Sequence, residues 1–167
     1  HPTVPLSTPD QIPAKEFILL ITEDDCLGGL NFLERNFSAA IGFAAPGLRS
    51  QLNVSDKVKD FTAAAVLDAL NSLGAGETCL AQNYDDVVDL LQRNYASSGV
   101  SDIVAMEPTI GTIKTCLMEL KEALSKEGIN LFLIRRNYDS LVWPHASRGF
   151  FHVKKKLPEF LSALQSS

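Results

Sequence analysis

Short apolar runs alternate along the chain with longer segments in which apolar positions recur every three or four residues. Residues 17–22 (FILLIT) form a continuous apolar run, which is typical of a strand covered on both faces. Residues 38–45 predict a second strand, in which small side chains dominate. Three further short runs predict strands at residues 78–82, 103–106 and 129–134.

The segments between these runs have the period of helices. Residues 28–36 favour a short helix, and residues 53–56 supply N-cap chemistry for a long one that Gly74 and Gly76 end. The apolar positions of the long helix are Val58, Phe61, Ala65, Leu67, Leu70 and Leu73.

Two more helices complete the alternation. One begins at Asp85 and Asp86 and ends near Gly99, and the other opens at Pro108 and ends at Gly128. Repeated strand–helix units with buried strands predict an α/β fold. We therefore expect a three-layer sandwich with a mostly parallel sheet of about five strands.

Both ends of the chain differ from this regular part. Residues 1–16 carry four prolines and no hydrophobic period, which predicts an extended arm. The α/β domain then covers residues 17–136, and residues 137–167 form an aromatic and basic extension. In that extension Pro144 is expected to stop any preceding helix, and Gly149 to turn the chain before a final helix.

Composition excludes several classes of protein. The net charge of −5 disfavours nucleic acid as a partner, because phosphate neutralisation needs a concentrated basic surface. The sequence has no apolar run of roughly 18 to 20 residues that could cross a bilayer, so we expect a soluble protein. Cys26, Cys79 and Cys116 lack the spacing of a zinc site and are interpreted as buried free thiols.

Four segments carry a resemblance to a known family. They are VKDFTAAAVLDALNSLGA, NYDDVVDLLQRNYASSGVSDIVAMEP, TIKTCLMELKEALSKEGINLFLIRRNYDSLVW and RGFFHVKKKLPEFL. In the order of their predicted helices and strands and in several small motifs, residues 54–161 resemble the N-terminal α/β domain of the photolyase and cryptochrome family. The resemblance implies a Rossmann-like, antenna-type domain, and it places Glu107 where a relative can hold its antenna cofactor.

The chain also departs from that family. The first strand continues as ITEDDCLGG, without the arginine-containing segment that usually follows it in the family. The helical domain that holds the flavin would need a few hundred more residues. Flavin-dependent DNA repair by this chain alone is therefore not expected, and a bound cofactor is expected to be absent or to be an antenna-type chromophore.

Ligands of open parallel sheets bind at the carboxyl ends of the strands. The residues that follow the predicted strands are candidate ligand-binding residues: Thr22, Glu23, Asp24, Ala44, Ala45, Asn83 and Glu107. Ordinary solvated loop ends are the alternative interpretation. Gly28 and Gly29 lack the spacing of a phosphate-binding loop, and the acidic turn before them should repel phosphate.

No catalytic or metal site is predicted. His145 and His152 are seven residues apart across a glycine, which does not favour a shared metal ion, and no serine or cysteine has the context of a nucleophile elbow. The candidate partner-binding residues instead belong to the extension, beside Lys154–Lys156: Trp143, His145, Arg148, Phe150 and Phe151. These aromatic side chains could equally pack on the chain's own sheet, or the segment could bind an anionic ligand.

Together these features predict a non-catalytic, photolyase-like domain that acts as an accessory or interaction subunit of a larger protein assembly. The alternative is a small-molecule binding module for a chromophore or a nucleotide. A reducing compartment is expected from the free cysteines. If a transit peptide before His1 has been removed, the resemblance implies that an organelle such as the plastid fits, because photolyase-like relatives occur in photosynthetic organisms.

Overall fold

The structure is a computed structural model of the chain, and it describes residues 6–26, 37–74, 79–146 and 149–165. Residues 11–134 form one compact unit. The described residues of 1–10 and 135–167 form a second.

The first unit contains a five-stranded sheet in which every strand pair is parallel. Its strands are β1 (Phe17–Thr22), β2 (Phe37–Phe43), β3 (Cys79–Ala81), β4 (Asp102–Met106) and β5 (Asn130–Ile134). They lie in the order β3-β2-β1-β4-β5, so β1 is central. The helices of this unit are α1 (Asp56–Ser72), α2 (Tyr84–Ser98) and α3 (Thr112–Ser125), and a 3₁₀ turn spans Pro46–Arg49.

Two buried clusters show how the layers are arranged. Ile18 and Leu20 of β1 lie in a cluster with apolar residues of α2 and α3. Phe17, Leu19 and Ile21 alternate with them and lie in a cluster with apolar residues of α1. All six residues of β1 are buried, so the predicted three-layer α/β sandwich and its doubly covered first strand are confirmed.

The second unit contains α4 (Asn137–Ala146) and α5 (Phe150–Gln165). Phe160 of α5 is buried, and its ring stacks on His145 of α4 with 5.3 Å between the centroids. The guanidinium of Arg135 lies 5.1 Å from the centroid of the Trp143 ring and donates a hydrogen bond to the carbonyl of Ser7. The described part of the N-terminal arm, residues 6–16, contains no helix or strand, as expected.

The structure corrects two proline-based predictions. The third helix begins at Thr112 and not at Pro108, because Gly111 provides its N-cap position and residues 107–111 are needed to leave the sheet. Pro144 does not stop the preceding helix but lies inside α4, two residues before its end. Proline has no N–H to donate to the carbonyl four residues earlier, here that of Ser140, and α4 continues for only two residues beyond Pro144. Gly149 has φ 80° and turns the chain into α5, as expected.

The structure also corrects a prediction of burial and shows which face of α1 is buried. Val58 and Phe61 of α1 are 48% and 75% exposed, because the face of α1 that packs on the sheet is formed by Val66, Ala69 and Leu70. Cys26 is exposed, whereas Cys116 is buried and Cys79 is half-buried. The helix expected at residues 28–36 lies outside the described residues.

Candidate functional site

The carboxyl ends of three neighbouring strands meet in the middle of the sheet. The chain passes from β1 towards β2 and β3 on one side, and β4 and β5 lie on the other. The order therefore reverses between β1 and β4, which is the point where open α/β sheets bind ligands. Glu23 and Asp24 follow β1, the 3₁₀ turn follows β2, and residues 107–111 follow β4.

Arg49 joins the loops after β1 and β2. Its Nε donates a short hydrogen bond to Oε1 of Glu23, and its Nη2 donates to Oδ1 of Asp24 at 2.5 Å. The Glu23 side chain is 1% exposed and that of Asp24 is 26% exposed, whereas Arg49 is 49% exposed. Charge-assisted bonds of this kind hold side chains in a defined geometry. Arg49 thus fixes the two acidic side chains at the switch point of the sheet.

A cleft of about 330 Å³ opens on one side of Arg49, and we call it the larger cleft. It is lined by Asp24, Arg49 and residues 109–113, which include the start of α3. The first N–H groups of a helix have no partner within the helix, and the N-cap residue Gly111 has no side chain to bind them. These N–H groups and the helix dipole favour an anionic group at this position.

A second cleft, of about 190 Å³, is also lined by Arg49, and we call it the smaller cleft. Besides Arg49 it is lined by Glu23, Cys26, Pro46, Val58, Phe61, Thr62 and Ala65. Among the described residues, Oε2 of Glu23 is a buried side-chain oxygen without a hydrogen-bond partner. The smaller cleft therefore combines apolar walls with a carboxylate that has one unpartnered, buried oxygen.

Cys26 contributes a thiol to the smaller cleft. The pKa of this thiol is raised mainly by its partial burial. The negative charges of Asp25, Glu23 and Asp24 raise it further, in decreasing order of effect. Its Sγ lies 4.0 Å from the carbonyl oxygen of Thr22, at the limit of a hydrogen bond to sulfur. A raised pKa keeps the thiol protonated at neutral pH, which does not favour a nucleophilic role.

Glu107 follows β4 and is bound by a lysine of α3. Its side chain is 4% exposed, and its Oε1 accepts a hydrogen bond from Nζ of Lys114 at 3.1 Å. Its backbone N–H donates to the carbonyl of Ile134 at 2.7 Å, which extends the pairing of β4 with β5. These contacts give Glu107 a structural role, and it does not line either cleft.

The other candidate ligand-binding residues follow neighbouring strands but do not line either cleft. Thr22 and Ala44 are buried, and the N–H of Ala44 donates to the carbonyl of Ala81. Asn83 caps α2, because its Oδ1 accepts a hydrogen bond from the N–H of Asp86 at 2.9 Å. Of the predicted set, Glu23 and Asp24 are the residues that the structure places in the clefts.

The sequence reasoning missed Arg49, the start of α3 and the wall formed by Phe61 and Thr62. Arg49 had a recognisable signal, since it is a basic residue directly after a predicted strand and a Pro-Gly turn. Phe61 had none, because its helical spacing does not show whether its side chain is exposed.

The candidate partner-binding residues belong to the second unit. Trp143 and His145 are half-buried within it, and Phe150 and Phe151 are 71% and 76% exposed. Arg148 lies outside the described residues. The rings of His145 and His152 are 5.9 Å apart, which their separation in sequence did not predict. Across residues 6–26, 37–74, 79–146 and 149–165, no three histidine, cysteine or acidic side chains are grouped to hold a metal ion.

Among the described residues, none of the helices has the length and apolar character that crossing a membrane requires. Comparison with protein-family models, with curated proteins and with solved structures found no match. The chain is thus characterised by its Rossmann-like fold and by the two clefts beside Arg49.

Proposed function

We propose that this domain binds a small molecule with an anionic group at the switch point of its sheet. The observation that carries the proposal is the uncapped start of α3, which lines the larger cleft together with Arg49. Its volume of about 330 Å³ is at the lower end of the range for small-molecule sites. A chromophore or a nucleotide with a phosphate or carboxylate group has suitable chemistry.

The proposed role is binding without catalysis. The acidic turn was expected to repel phosphate, but Arg49 binds both Glu23 and Asp24 and so offsets part of their charge. Cys26, the thiol that lines the smaller cleft, has a raised pKa and is a poor nucleophile at neutral pH. The resemblance to antenna-type domains is consistent with such a role and stays a prediction.

Pairs of ligands that differ by a phosphate test this proposal. We expect flavin mononucleotide or adenosine monophosphate to bind, and riboflavin or adenosine to bind much more weakly. Binding is measured by titration, with the backbone amide signals of Gly111, Thr112 and Ile113 followed by NMR. Equal affinity for both members of each pair, or signal changes elsewhere in the chain, would contradict the proposal.

A substitution at the first residue of α3 isolates the contribution of the helix N-terminus. Thr112→Pro removes one N–H donor at a position where proline is compatible with the helix, and Gly111 before it has an extended ψ of −173°. We expect about a tenfold loss of affinity for the phosphate-bearing ligand, the value of one hydrogen bond to a charged group. Thr112→Ala keeps the N–H and is the matched control.

A second candidate function, as an accessory subunit of a protein assembly, is favoured by the surface of α5. Phe150, Leu157 and Leu161 are 71%, 39% and 51% exposed and recur at the spacing of one helical face. Lys154 follows on the same side, within a run of three lysines in an acidic chain. We propose that this face binds a protein with an acidic, partly apolar surface.

The mass of the native assembly tests this second function. A mass well above the 18.2 kDa of one chain is expected for protein isolated under mild conditions. Phe150→Ser combined with Leu161→Ser should return the mass to that of one chain. Glu159→Ser is the control, because this exposed side chain lies about 180° around the helix from Phe150. Assembly that survives the double substitution would exclude α5 as the contact.

A further inference from the structure

The buried carboxylate of Glu23 has one satisfied oxygen and one unsatisfied oxygen. Oε1 accepts the hydrogen bond from Arg49, and Oε2 is buried without a partner. Buried acceptors are nearly always paired in folded proteins, and an exception requires an explanation. Because Glu23 lines the smaller cleft, an occupant of that cleft is the donor that we consider.

The charges and hydrogen-bonding groups around the smaller cleft indicate which type of donor would bind there. Glu23 and Asp24 bring two negative charges, and their common partner Arg49 brings one positive charge. The hydroxyl of Thr62 already donates to the carbonyl of Val58 at 2.8 Å, so Thr62 offers an acceptor to the cleft. A protonated amine supplies the donors and the positive charge that these groups lack.

The remaining walls fit the apolar part of such a molecule. Pro46, Val58 and Ala65 line the cleft, and Phe61 beside them is 75% exposed. An aromatic face attracts a cation as well as apolar groups. The volume of about 190 Å³ limits the occupant to a small ring or a short chain.

We propose that the smaller cleft binds a small organic ammonium ion, which donates a hydrogen bond to Oε2 of Glu23. This inference rests on the proposed ligand-binding role of this edge of the sheet and adds a second, oppositely charged subsite. Since Oε2 is buried, a small rotation of the carboxylate or of a wall side chain accompanies binding.

Benzylammonium and benzyl alcohol, which have similar shapes and different charges, are the probes. We expect benzylammonium to shift the amide signals of Cys26, Phe61 and Thr62 in a saturable titration of the whole chain, and benzyl alcohol to bind at least about tenfold more weakly. Similar affinity for the two probes, or no saturable shift with benzylammonium, would overturn the proposal.

Two variants assign the binding to this cleft. Glu23→Gln should weaken benzylammonium binding about tenfold, whereas Asp68→Asn, an exposed carboxylate further along α1, should leave it unchanged. Phe61→Ser changes an exposed side chain and should also weaken binding, so the test does not depend on the stability of Glu23→Gln. Unchanged binding in Phe61→Ser and in folded Glu23→Gln would overturn the proposal.

The same spectra separate this inference from the proposed function. Phosphate-bearing ligands report on Gly111 and Thr112, and benzylammonium reports on Phe61 and Thr62. A phosphate-dependent response without a benzylammonium response overturns the amine subsite alone. A benzylammonium response alone overturns the anion site and leaves the amine subsite supported.

Discussion

The ammonium group of Lys114 lies 3.1 Å from Oε1 of Glu107, a carboxylate that is almost fully buried. Glu107 directly follows β4, and Lys114 is in the first turn of α3. The pair therefore spans the loop whose residues 109–111 line the larger cleft. This contact holds the loop between β4 and α3 in the position that forms the cleft.

Removing the lysine from this pair should destabilise the protein. Lys114→Met leaves the buried carboxylate with less compensation, and we expect a loss of about 2–3 kcal/mol in the free energy of unfolding, measured with urea. Adding Glu107→Gln should recover part of this loss, because the buried charge is then removed. Lys126→Met is the control, since its pair with Glu122 is exposed and should have no measurable effect. A destabilisation as large in the control would contradict the role of burial.

The close approach of α1 to the sheet depends on Gly42 of β2. A Cβ atom at this position would lie 2.6 Å from Cγ1 of Val66 and 2.9 Å from Cδ1 of Leu70. Valine has little freedom to rotate in a helix, so the clash cannot be relieved locally. Gly42→Ala should therefore cost about 1–3 kcal/mol, measured by thermal or urea unfolding. Gly47→Ala is the matched control, because nothing lies within 4 Å of its added Cβ.

The sequence predicted the strands and the layer arrangement because the spacing of apolar residues reflects which positions are buried. The continuous apolar run of β1 is buried on both faces, as that pattern indicates. The same period does not place Phe61, which lies five residues before Val66 and so about 140° around α1 from the buried face. The period of the apolar positions shows that a helix is amphipathic, but its packing on the sheet determines which face is buried.

The candidate site was harder to predict, because its residues come from three loops. Glu23 and Asp24 were identified from their place after a strand, but their common partner Arg49 is 25 or more residues away in sequence. Pairing between such loops depends on the strand order β2-β1-β4, which hydrophobic patterns do not specify. Asn83 was likewise assigned to a ligand site, although its N-cap geometry makes it part of α2.

Stability at alkaline pH should depend on Cys116. Burial, with a smaller effect of Glu119, raises the pKa of this thiol from 9.0 to about 11. Because the folded pKa is above the unfolded pKa, the stabilisation is complete below about pH 9 and is lost as the pH rises to 11. We expect this loss to be up to about 2–3 kcal/mol. Cys116→Ala should show a smaller decrease in the free energy of unfolding between pH 8 and 11. An unchanged decrease in this variant would contradict the raised pKa.

The acidic neighbours of Cys26 should limit the reactivity of its thiol, in addition to any limit set by solvent exposure. Cys26 is exposed, but partial burial of its thiol and the charges of Asp25, Glu23 and Asp24 raise its pKa. Asp25→Asn removes the largest of these charge effects, so it should lower the pKa and move the pH dependence of iodoacetamide alkylation to lower pH. At pH 8 the expected increase in rate is on the order of twofold, measured for the Cys26 peptide by mass spectrometry. Asp60→Asn, an exposed carboxylate on α1, is the control for net charge. An equal increase in that variant would show that the effect is not specific to the acidic turn.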